Sequence, residues 1–92
     1  MRGEFDLHDR VEISLLRVGA GRLGSAWRYP DLHAPYWRLY CNPQDGARIH
    51  PRGAPTIPLA ARRRYLIPPW VHFASDSREG VGHIYCHFDL LS

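Results

Sequence analysis

The sequence predicts an all-β domain, a sandwich or barrel of short strands, on three observations. Eight prolines and eight glycines recur every few residues along the 92 positions and leave little room for long helices. Between them lie short runs rich in aromatic and branched residues, which suit a pleated surface. The last run, His83 to Leu90, alternates strictly: Ile, Cys, Phe and Leu at even positions, His, Tyr, His and Asp at odd ones. That is a half-buried strand with one polar face.

Taken in order, residues 11–18 alternate at first and lose phase at Leu15-Leu16, so a strand and a helical turn over 7–16 both fit. Gly19-Ala20-Gly21 is expected to end that element. Trp27-Arg28-Tyr29 predicts a short strand closed by Pro30, and Tyr36 to Cys41 a strand dense in aromatic residues. The Trp-Arg pairs at 27–28 and 37–38 suggest facing positions in a hairpin. Asn42-Pro43-Gln44-Asp45-Gly46 is a turn, because proline presets φ and the glycine accepts a positive one. Ala47 to His50 and Thr56 to Leu59 follow as strands around Arg52-Gly53. Arg62-Arg63-Arg64 reads as a solvated turn before Tyr65-Leu66-Ile67, a strand that Pro68-Pro69 must end for want of N–H donors. Residues 74–80 read as a polar loop leading into the last strand.

The whole chain, 1–92, fits one domain with a thin core. Its composition, 45% hydrophobic and 23% charged, is globular. No apolar run approaches the roughly 20 residues that span a bilayer, and the acidic start Met1 to Asp6 is not a secretory signal, so the cytoplasm is the expected compartment. All twelve basic residues are arginine, with a net charge of +3. They are spread along the chain rather than gathered on one stretch, as phosphate binding requires, so no nucleic acid is expected as a partner of this chain alone. Cys41 and Cys86 fit neither metal-ligand nor redox spacing; each falls on the apolar side of its strand and is expected to be a buried thiol, with a disulfide open if the two strands are neighbours.

The residues argue against catalysis. No serine sits in a nucleophile elbow, the cysteines lie on apolar faces, no carboxylates pair, and Gly19-Ala20-Gly21 lacks the rest of a phosphate loop. His83 and His87 are spaced as a helix would need to share a metal. On a strand the same four residues span about 13 Å, too far for bonds of about 2 Å. No metal and no cofactor are therefore expected. What remains is the face His83, Tyr85, His87 and Asp89, where an aromatic ring beside hydrogen-bonding imidazoles suits a small polar ligand such as a sugar. An ordinary solvent-facing strand surface explains the same pattern.

The ordered series Trp27-Arg28-Tyr29, Ala34 to Asn42, Gly46 to Ile49, Ile57-Pro58-Leu59, Tyr65 to Pro69 and His83 to Leu90 resembles the N-terminal sensor domain of AraC-type transcription regulators. The likeness covers residues 19–90 and leaves 1–18 as an N-terminal arm or strand. It implies a cupin-like double-stranded β-helix, a barrel or sandwich, here either incomplete at its C-terminal end or completed by a partner. It also implies an effector site, with His83 bonding hydroxyls and Tyr85 stacking on the sugar, and with His87 and Tyr40 as further contacts. The family's DNA-binding helices are not in the sequence. Its enzymatic relatives carry a paired-histidine metal motif that Gly46 to Arg52, with His50 alone, does not reproduce; His72 stands near the place of a second-motif histidine. The alternatives are a β-module that dimerises through an exposed final strand, and a metallo-cupin enzyme.

Overall fold

The computed structural model describes residues 12–91. Among them are eight strands and no helix: β1 (Glu12–Leu23), β2 (Tyr29–Leu32), β3 (Trp37–Cys41), β4 (Ala47–Pro51), β5 (Ile57–Leu59), β6 (Arg64–Ile67), β7 (Phe73–Ser77) and β8 (Val81–Leu91). They form two four-stranded sheets, ordered β1-β8-β3-β6 and β2-β7-β4-β5, in which every pairing is antiparallel. The all-β expectation is met. Of the N-terminal segment, residues 1–11 lie outside the described residues, and 12–16 are strand rather than helical turn.

The core sits between the sheets. Leu23, Tyr40, Ile67 and Val81 come from the first sheet, and Ala47, Ile49, Leu59 and Phe73 from the second. In the second sheet the usual rule holds: Ala47 and Ile49 point inward, while Arg48 and His50 alternate with them and face solvent. Pro30 and Pro58 lie on its two edge strands, β2 and β5, where a missing N–H costs no ladder bond, and Pro51 stands last in the inner strand β4. Gly46 closes the 42–46 turn at φ 125°, a backbone that a side chain would strain.

Several expectations are corrected. Gly19-Ala20-Gly21 does not end β1, whose ladder with β8 runs from Glu12–Leu91 to Leu23–Val81. The phase loss at Leu15-Leu16 is a β-bulge: Leu15 faces Phe88, Arg17 faces His87, and Leu16 is the extra residue. The supposed loop 74–80 contains β7, an inner strand, because serine is small enough to face the core; Ser75 is 2% exposed. Residues 29–32, not 27–29, form β2, and it lies in the opposite sheet from β3, so the two Trp-Arg pairs do not share a hairpin. The final strand is no free edge. β8 is paired on both sides, by β1 and β3, and the edges of its sheet are β1 and β6.

The first sheet also has its polarity reversed. Register puts Ile13, Leu15 and Val18 of β1 beside Leu90, Phe88 and Cys86 of β8, and Trp37, Leu39 and Cys41 of β3 beside Phe88, Cys86 and Ile84. This apolar face points outward, leaving Leu15 66% and Ile84 49% exposed. Cys41 and Cys86 lie on it, half-buried and free rather than buried; their strands are neighbours, but Cys41 faces Ile84, one residue pair away from Cys86. The polar-aromatic face points in.

Candidate functional site

Three odd residues of β8, His83, Tyr85 and His87, line a cavity of about 600 Å³, and Asp89 is not on its wall. The cavity lies within the size range of small-molecule sites. All four residues singled out from sequence, Tyr40, His83, Tyr85 and His87, are on its wall. On this strand face His83 is buried, while Tyr85, His87 and Asp89 are half-buried. A second, apolar hollow of about 170 Å³ between Ile49, Ile67 and Phe73 is much smaller.

Cross-strand register arranges the wall in rows. One row is Arg17, His87 and Arg38, on β1, β8 and β3; the next is Gly19, Tyr85, Tyr40 and Tyr65, reaching β6. A Cβ at Gly19 would meet the far end of the Tyr85 ring, which would have to shift. The phenol ring therefore lies against the backbone of β1. Its other neighbours are imidazoles, with His83 stacked at 5.6 Å and His87 tilted at 5.2 Å between ring centroids.

His83 is buried, 7% exposed, beside Tyr40 at 3%. Its Nδ1–H donates to Asn42 Oδ1 at 2.7 Å, and Asn42 is itself buried where β3 enters the 42–46 turn. That bond leaves Nε2 as an acceptor. The ring is boxed by Trp27 at 5.2 Å and by Tyr40 edge-on at 4.6 Å. Burial, with a smaller contribution from His87, pushes its pKa down to about 4. At neutral pH it is an uncharged hydrogen-bonding group. His87, tilted against Tyr36 at 4.6 Å between ring centroids, is also shifted down, by burial first and then by the charges of Arg38 and Arg17. Burial raises the phenol of Tyr40, and Arg38 opposes that shift.

Sequence reasoning missed Arg38, which is 9% exposed and projects from β3 into the cavity. Its Nη1–H reaches the Tyr40 hydroxyl at 3.4 Å, and its guanidinium lies over the rings of Tyr36 and Phe73 at 5.3 and 5.4 Å. It also missed Trp27, Tyr36 and Arg17. The alternation of β3 carried the signal for Arg38, since Arg38 and Tyr40 share a face opposite Trp37, Leu39 and Cys41.

Away from the cavity, Asp31 and His33 flank Leu32 and meet His72, with one ligating atom of each within 4.8 Å of the others. This trio is able to hold a metal ion, and it gives His72 the companions that sequence alone did not supply. It is also satisfied without one: His72 Nδ1–H donates to Asp31 at 3.0 Å, Arg52 pairs with the same carboxylate at 3.4 Å, and His33 stacks on His72. His50 does not join it. Its Nε2–H donates to Asp76 at 2.8 Å, and its Nδ1 accepts from Thr56.

No protein-family model matches the chain, and no curated protein does. The fold is similar to a crystal structure of protein NMB1881 from Neisseria meningitidis, with a TM-score of 0.66, 9% identity, and coverage of 88% of this chain and 84% of that one. At such identity the likeness concerns fold alone.

Proposed function

We propose that the chain is a small-molecule-binding, effector-sensing domain of the cupin-like, AraC-type kind, working in the cytoplasm without catalysis of its own. One observation carries the reading: the strand face picked out for its chemistry, His83, Tyr85 and His87, lines a cavity between the sheets together with Tyr40. A sandwich with no ligand to hold would fill that space with aliphatic side chains, as it does around Phe73 and Leu59. Instead it presents flat rings for stacking and uncharged imidazoles for hydroxyls, which is the chemistry of sugar recognition. Trp27 on the wall supplies the reporter. Simple sugars and their derivatives are expected to change tryptophan fluorescence and to raise the melting temperature in a saturable way. Tyr85→Ala should weaken binding at least tenfold, and silence across a broad panel would refute the reading.

A second reading, a self-associating β-module, is favoured by the exposed apolar face of the first sheet and by the free edge of β1. The two are compatible, and sedimentation tests the second separately from ligand binding.

A further inference from the structure

Arg38 poses a problem that the described residues do not solve. A guanidinium stays charged across the whole accessible pH range, so burial cannot be relieved by losing the proton. Yet Arg38 is 9% exposed, and none of the ion pairs among the described residues includes it. Among the described residues one of its five N–H groups finds an acceptor, the long contact to Tyr40. The rings of Tyr36 and Phe73 attract the cation but accept few of its protons.

The surroundings add positive charge rather than cancel it. Arg17 stands across His87 in the same row, and among the described residues no aspartate or glutamate lines the cavity. Asp89, the next residue of β8 on that face, pairs in register with Ser14 and enters no ion pair among the described residues. The depressed titration of His87, caused in part by these two arginines, reports the same field from inside the cavity.

We infer that the cavity's occupant carries a carboxylate, received by the Arg38 fork beside Arg17, while the rest of the molecule lies along His83, Tyr85 and Tyr40. The ligand class is then a small polyhydroxylated acid, such as a sugar acid, rather than a neutral sugar. A carboxylate matches the planar guanidinium with two parallel hydrogen bonds and supplies the missing countercharge. Its hydroxyls meet the Nε2 acceptor of His83 and the phenols. The inference rests on the cavity being a ligand site, as proposed above.

The test compares pairs that differ only in one oxidised carbon, glucose with glucuronate and galactose with galacturonate, by calorimetry on the full chain. The wild type should bind at least one acid tenfold or more tighter than its neutral partner. Arg38→Gln should lose that preference, and Arg38→Lys should keep part of it, each checked for folding by circular dichroism. Should Arg38→Gln fail to fold, the exposed Arg17→Gln serves in its place, with a several-fold loss for the acid and none for the neutral sugar. Equal binding of acid and neutral sugar overturns the inference but leaves the sugar-binding reading standing. Preference surviving in folded Arg38→Gln overturns it as well. No binding of either set removes both.

Discussion

At the scale of single residues, the burial of His83 has a consequence for stability. Its folded pKa of about 4 lies below the ordinary 6.5. Above the upper value both folded and unfolded chains carry it neutral. As pH falls from 6.5 toward 4, the unfolded chain takes up a proton that the folded one refuses, so the unfolded state gains and stability drops. Below both values the loss levels off. The gap amounts to a contribution on the order of 2 kcal/mol once screening by water in the open cavity is allowed for. Urea midpoints of the wild type and His83→Gln at pH about 7.5 and about 4.5 check this. Carboxylates titrate alike in both proteins and cancel, so the wild type should lose more stability on acidification than the variant. Equal losses would show that His83 is not the group responsible.

At the scale of strands, the alternation of β8 was legible, and so were the residues on its chemically interesting side. Which side faced inward was not. Period-two patterning sorts a strand into two faces, but the choice between them depends on what packs there, and that is set by strands distant in sequence. Counting apolar groups would have buried Ile84 and Leu90, which are 49% and 43% exposed. Arg38 was hidden by the same ambiguity, and β7 by its serines, which look like loop until a tight core demands small residues. The break at Leu15-Leu16 was visible as a loss of phase, and its meaning as a bulge needed the partner strand. That bulge yields a prediction. Since Leu16 is the unpaired extra residue, deleting it should preserve the pairing of Arg17 with His87 and change stability by about 1 kcal/mol or less. Deleting Ala20, which pairs with Ile84, should instead throw Arg17 and Gly19 off the cavity face and disrupt the β1–β8 ladder. Thermal melts of the two deletions compare them directly, and similar damage from both would contradict the bulge.

For the molecule as a whole, the two sheets solve the burial problem in opposite senses. The second is apolar inside and charged outside, where Arg48 and Asp76 pair across β4 and β7 at 2.8 Å. The first turns its chemistry inward and leaves Ile13, Leu15, Val18, Leu66, Ile84 and Leu90 between 43% and 66% exposed. These residues are neighbours by register, so they form one continuous surface, bordered by Arg22 and Arg64. Single exposed apolar residues need no explanation, but a contiguous patch across four strands marks a surface that is covered in use. On the self-association reading proposed above, a second copy of the chain would meet the need, because a twofold contact would set the patch against itself and let the β1 edge lie beside its mate. The wild type is therefore expected to sediment as a dimer or larger species at concentrations on the order of 100 μM. Leu15→Glu combined with Ile84→Glu should give a monomer whose melting temperature changes little, since neither side chain packs in the core and the cavity lies on the other side of the sheet. Sugar or sugar-acid binding should survive in that monomer. A wild type that stays strictly monomeric at such concentrations would leave the apolar face without this role, while the cavity, on the opposite face of the same strands, would be untouched by the result.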